Sequence, residues 1–218
     1  MKIIIMKKKF KKLALVLTFN LISIPVFAAS GVWNTNEIKL PIIKDKLSYR
    51  VFNRSYFTDK ALGIDSMILR TGPIINFTDN FSLALHTSFA GFNKEGNKFV
   101  QEVRYEVEPN FDFVFDRFKI SDRNRFEVRV FDKISFRYRN NLSIAYKLDF
   151  PLTPYLSDEI FISPTEKPSN RFTLGVSYPV TKDLKFNLGY MHITSMQNDN
   201  TWNNSPTLVI SFLSDLTK

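Results

Sequence analysis

From Leu47 to Phe212 apolar residues alternate with charged or polar ones, in runs separated by clusters of Gly, Pro, Asn and Asp. A period of two is the repeat of a β-strand whose two faces meet different environments. Residues 98–108 place Glu102, Arg104 and Glu106 on one face and Phe99, Val103, Tyr105 and Val107 on the other. Further on, Arg123, Arg125, Glu127 and Arg129 oppose Phe126, Val128 and Val130. Arg137, Arg139 and Lys147 oppose Phe136, Tyr138, Leu142, Ile144 and Tyr146. This spacing predicts ten strands: 47–57, 64–76, 81–91, 98–108, one ending at 130, 135–149, 156–163, 171–179, 184–194 and 206–213. Pro109-Asn110 reads as the turn that ends the fourth.

The first 28 residues have a different character. Lys7, Lys8, Lys9, Lys11 and Lys12 precede an apolar core from Leu13 to Phe27. Val26-Phe27-Ala28 offers the small residues of a cleavage site, so residues 1–28 are expected to be a cleaved export signal and 29–218 a single domain. Six of the chain's 30 lysines and arginines lie in this segment and none of its 21 acids, which leaves 24 basic against 21 acidic residues. That balance, with both signs mixed along the same strands, lacks the concentrated basic footprint of a nucleic-acid binder. There is no cysteine, which excludes a disulfide framework, a thiolate metal site and a lipoprotein anchor. No phosphate loop, metal-ligand spacing or dinucleotide fingerprint is present, and no cofactor or metal is implied.

Beyond the signal no apolar run approaches the ~20 residues of a membrane helix. A membrane-spanning reading therefore requires a closed barrel, in which every backbone group finds a partner. The predicted fold is all-β, an antiparallel up-and-down transmembrane barrel of about ten strands within a range of 8–12. An even count returns both termini to the periplasm. Tight turns at Thr78, Pro151 and Thr181 then fall at one end, and loops at Asp59, Asn93, Pro164 and Ser195 at the other. The segment Gly31 to Ile43, with Trp33, would break the parity as an eleventh strand, and reads as a periplasmic arm, as lumen filling or as half of an unseen pair. A soluble barrel has the same period with its apolar face inward. Apolar faces rich in Phe and Tyr (Phe is 22 of 218 residues) and opposite faces bearing both Arg and Glu favour lipid outside and charge within.

The charged face gives the candidate constellation: Arg50, Arg54, Arg104, Arg123, Arg125, Arg129, Arg137 and Arg139 with Glu102, Glu106, Glu108, Glu127 and Glu159. The arginine fork holds two carboxylate oxygens at once, so such residues on neighbouring strands form a ladder. A barrel of eight to ten strands has a lumen little wider than its side chains, and a ladder of this kind fills it. The alternative is a narrow anion or acidic-oligosaccharide channel, since rings of Arg favour anions in pores. A second alternative is a lipid-modifying enzyme. His86 and Ser88 share a face, as a base and nucleophile would, but no carboxylate orienter is evident nearby. His192 alternates with Tyr190 and Leu188 and is expected near the external interface. No catalytic residue is assigned.

The order Gln101-Glu102-Val103-Arg104, Arg123-Asn124-Arg125-Phe126-Glu127-Val128-Arg129, Phe136-Arg137-Tyr138-Arg139, Asp158-Glu159-Ile160-Phe161, Asn170-Arg171-Phe172 and Leu188-Gly189-Tyr190, with the early Trp33, resembles the bacterial domain-of-unknown-function family numbered 2490. The resemblance covers roughly residues 31–213. It implies an outer-membrane barrel without an established activity, and supplies no catalytic residues. Outer-membrane lipid and, during biogenesis, the barrel-assembly machinery are the implied partners of a monomer. Outer-membrane barrels usually end on an aromatic residue; here Phe212 is followed by Leu-Ser-Asp-Leu-Thr-Lys. The expectation is an outer-membrane barrel with a structural or envelope role and a charged, mostly occluded lumen.

Overall fold

The computed structural model describes residues 31–58, 64–94, 98–197 and 199–217; the expected export signal lies outside them. Eleven strands make up the described chain: β1 (Gly31–Ile43), β2 (Leu47–Thr58), β3 (Ile64–Asn76), β4 (Phe81–Lys94), β5 (Lys98–Phe115), β6 (Phe118–Val130), β7 (Ile134–Tyr146), β8 (Thr153–Ile162), β9 (Ser169–Pro179), β10 (Leu184–Met196) and β11 (Trp202–Asp215). Each pairs with its sequence neighbours, and β1 pairs with β11 to close a barrel. The ten strands legible as alternation are β2 to β11, and no described residue is helical.

The eleventh strand changes the topology. Up-and-down strands alternate in direction, so an odd number leaves the first and last parallel. β1 joins β11 in parallel over eight pairs, from Val32↔Leu208 to Lys39↔Asp215, while every other pairing is antiparallel. Gly31–Ile43 is therefore wall, not a periplasmic arm or lumen filling. Gly31 and Thr217 lie at opposite ends, here called the N end and the C end, so the expectation that both termini return to one side is corrected. The expected contrast in connection length is also slight. Connections at the C end (44–46, 77–80, 116–117, 147–152, 180–183) are two to six residues long. Those at the N end (59–63, 95–97, 131–133, 163–168, 197–201) are three to six.

A second correction concerns Pro109-Asn110, which is not a turn. β5 runs through it to Phe115, with Pro109 opposite Leu83 of β4. Proline has no N–H to give, so the ladder toward β6 lapses between Val107↔Phe126 and Asn110↔Arg123, yet the register is unchanged across the gap. The side-chain alternation survives for the same reason. The turn comes at Asp116-Arg117, where Asp116 adopts φ 51°, a left-handed conformation that Asp tolerates better than most residues. On β3, Gly72 and Pro73 make a similar lapse. A β-carbon on Gly72 would sit 1.9 Å from the carbonyl oxygen of Leu85, so any larger residue forces β3 and β4 apart.

The register sends the charged set inward and the apolar set outward. Inward lie Arg104, Glu106 and Glu108 on β5, Arg123, Arg125 and Glu127 on β6, and Arg137 and Arg139 on β7. Outward lie Phe126, Phe136, Leu142, Leu156, Phe172, Leu174, Leu188 and Tyr190, all at least two-fifths exposed. Outward polar side chains on β6–β9 bond to one another: Asn140 donates to Asp122 (2.5 Å), Tyr138 to Asn124 (2.6 Å) and Asn170 to Asp158 (2.6 Å). Inside the wall, Tyr155 lies over Gly175 and Gly189, where a β-carbon would come within 2.6 Å and 2.9 Å of it. Phe212, outward on β11, packs on Phe186 with ring centroids 5.3 Å apart.

Candidate functional site

The alternation that builds the wall also builds the lumen, since every second residue of β1–β9 points at a strand on the far side. At mid-height the side chains meet. Arg125 of β6 is the hub, 1 % exposed. Its Nε donates to Glu108 Oε2 (2.5 Å) and lies 3.5 Å from Glu106 Oε2; Nη1 lies 3.8 Å from Glu127 Oε1. Arg50 of β2 reaches across to Glu108 (2.9 Å) and back to Glu37 of β1 (3.5 Å). Arg70 of β3 holds Glu106 (2.7 Å), which also accepts a bond from the Ser88 hydroxyl (2.7 Å). On the other flank Arg139 bridges Glu127 (2.9 Å) and Glu159 (2.7 Å), Arg137 bonds Glu127 (2.6 Å), and Arg123 and Arg171 reach Glu159 (2.9 and 3.6 Å). Toward the N end Arg129 grips Glu102 (2.7 Å), which also pairs with Arg104.

Every arginine and glutamate that the sequence reading placed in the lumen thus faces it. All but Arg54 join one ion-paired system that crosses the lumen from β1 to β9. Glu108 is fully buried and Glu127 and Glu106 are each 2 % exposed. This layer divides the interior. A vestibule of about 670 Å³ opens at the C end, lined by Lys46, Arg50, Asn76, Asp112, Arg123 and Asp215 among others. A chamber of about 140 Å³ lies on the N-end side, lined by Trp33, Phe52, Arg54, Phe161, Arg171 and further arginines. An apolar groove of about 840 Å³ lies on the wall's outer face near Gly72.

Four members of the network lay beyond the sequence reading. Glu37 sits on β1, which alternation did not assign to the wall. Arg70 sits on β3, whose faces are blurred by Gly72-Pro73. Arg171 was visible within the family-like order but not linked to Glu159. Glu166 belongs to the connection 163–168, where no alternation operates, yet its carboxylate turns onto Arg129 and Arg137 (3.5 Å to Arg137).

The two histidines separate. His192 is outward on β10 and its Nε2 lies 3.1 Å from Asn204 Oδ1. His86 is inward and 4 % exposed, and neither ring nitrogen has a hydrogen-bond partner among the described residues. The Ser88 hydroxyl is committed to Glu106 rather than to His86, so the two do not form a base–nucleophile pair. His86 converges with Glu106 and Glu108 closely enough to share an ion. Both carboxylates, however, already answer Arg50, Arg70 and Arg125, and a divalent cation would add charge beside three guanidinium groups.

No curated protein matches the chain. A family model described as a protein of unknown function, DUF2490, matches residues 30–204. That span takes in the described wall from β1 to the start of β11 and every member of the ion ladder. The chain belongs to this family, and here the sequence builds an eleven-stranded closed barrel.

Proposed function

We propose that this chain spans the bacterial outer membrane as a monomer and serves envelope integrity, with a lumen sealed by its own ion ladder. Export by the N-terminal signal and insertion by the barrel-assembly machinery would deliver it there. The outward face supports the reading. Large apolar side chains stand exposed on the outward face of β3 to β10, and only lipid or another protein covers so much of that surface favourably. One observation carries the sealed lumen: the Arg125–Glu108–Glu127 layer at mid-height is as buried as a protein core.

Planar-bilayer recording tests this. The refolded protein is expected to give no discrete conductance steps. Anion-selective steps that vanish in an Arg137→Ala, Arg139→Ala double variant would replace the sealed lumen with the channel reading. That second reading rests on the excess of arginine over glutamate in the lumen. A lipid-modifying activity has less support, since Ser88 and His86 do not pair.

A further inference from the structure

The N-end chamber is built unlike the rest of the lumen. Below it each guanidinium has a carboxylate; within it guanidinium groups and aromatic rings alternate in a stack. Arg139 lies over Phe161 (4.6 Å), and Arg171 lies over both Phe161 (4.3 Å) and Trp33 (4.5 Å). Arg54 lies over Trp33 (4.5 Å) and Phe52 (5.2 Å), and Arg70 over Phe52 (4.9 Å). Stacking fixes each guanidinium plane and leaves its N–H edge free to donate.

Arg70 and Arg139 spend theirs on glutamates, but the edges of Arg54 and Arg171 are under-used. Among the described residues the one hydrogen bond of Arg54 runs from its Nε to Thr35 Oγ1 (3.2 Å), and no carboxylate lies within 4.0 Å of it. Among the described residues Arg171 has only the 3.6 Å approach to Glu159, and its Nε has no hydrogen-bond partner. The indole Nε1 of Trp33, a residue 9 % exposed that lines the chamber, also has no hydrogen-bond partner among the described residues. In the charge ladder and chamber together, ten arginines (50, 54, 70, 104, 123, 125, 129, 137, 139, 171) face seven glutamates (37, 102, 106, 108, 127, 159, 166). An uncompensated buried cation is costly, and a counter-anion relieves that cost.

We propose that this chamber is an anion site for a phosphate group, held between Arg54 and Arg171 with the Trp33 indole N–H as a third donor. Three features select the ligand class. The donors are planar forks that match tetrahedral oxyanions two oxygens at a time. The local excess of positive charge suits a dianion better than a single carboxylate. The volume, about 140 Å³, is that of a cavity able to hold one benzene-sized molecule (about 150 Å³), so a phosphate group fits and a folded oligosaccharide does not. At the chamber's rim Glu166, on Arg129 and Arg137, already supplies one carboxylate from the chain itself.

The test uses the full mature chain in a phosphate-free, non-ionic detergent. Trp33 and Trp202 are the only tryptophans, so a Trp202→Phe background makes fluorescence report on the chamber. Inorganic phosphate is expected to give a saturable change, matched by heat in calorimetry. Arg54→Gln should weaken it at least tenfold (about 1.4 kcal/mol), while Lys119→Gln, at the C-end rim, should leave it unchanged. If Arg54→Gln fails to refold, Arg54→Lys keeps the charge, loses the fork and should still weaken binding. Phosphatidic acid added to the micelles separates the sources: competition with inorganic phosphate assigns the chamber to a lipid headgroup, and its absence to a soluble phosphate. No saturable response from the parent protein, or equal binding by the Arg54 variants, overturns the site. Either result is independent of the bilayer recordings, because a sealed lumen can hold or lack an anion.

Discussion

Arg125→Ala lowers the unfolding free energy of the refolded protein by about 3–5 kcal/mol, the usual cost of removing one partner from a buried ion pair. The reason is what stays behind. Glu108, fully buried, loses its 2.5 Å contact, and Glu106 and Glu127 lose the cation that separates them. Urea titration followed by fluorescence, with the heat-modifiable shift on detergent gels as a second readout, measures the effect. Lys119→Ala removes an ion pair with Asp112 whose partners are each about half exposed, and costs ~0–1 kcal/mol. Replacing Arg125 by Met together with Glu108 by Gln should recover much of the loss, because an apolar or neutral pair leaves fewer unbalanced charges. A loss for Arg125→Ala no larger than that for Lys119→Ala would mean that the mid-lumen layer is wet, and the sealed lumen would fail with it.

Leu174→Arg is the second large effect, and it acts on the other face. Leu174 is outward at the centre of β9 and 58 % exposed. In water an arginine there costs almost nothing. In a bilayer, an arginine on the lipid face near the midplane costs about 2–4 kcal/mol. Folding into phospholipid vesicles, followed by urea titration, is expected to show that loss. An unchanged midpoint would place the outer face in water.

The wall was legible because a strand with two unlike faces writes its period directly into the sequence. Glu102-Val103-Arg104-Tyr105-Glu106 assigns its own faces, and the structure places them as read. Pro109 misled because proline usually ends a ladder; here it removes one donor without shifting the register. Glu37 and β1 escaped for a physical reason as well. Asn34 and Asn36 on β1 bond to each other, so that strand carries polar residues on both faces and shows no contrast. The odd strand count, and the parallel closure it forces, followed from the same omission. Pairings across the lumen, such as Arg50 with Glu108 at a separation of 58 residues, depend on barrel circumference and stagger, which one strand's sequence does not contain. The stack from Arg139 to Arg70 was hidden for this reason too, since its members come from β2, β3, β7, β8 and β9 with Trp33 of β1.

Lipid contact by the apolar face is the central claim, and the absence of native cysteine gives it a clean probe. Single variants Phe126→Cys and Leu188→Cys, each carrying an environment-sensitive fluorophore, are refolded into vesicles whose acyl chains bear bromine. Strong quenching by the brominated lipid at both positions, and little by aqueous iodide, is the expected result. Strong iodide quenching with no response to the brominated chains would contradict it.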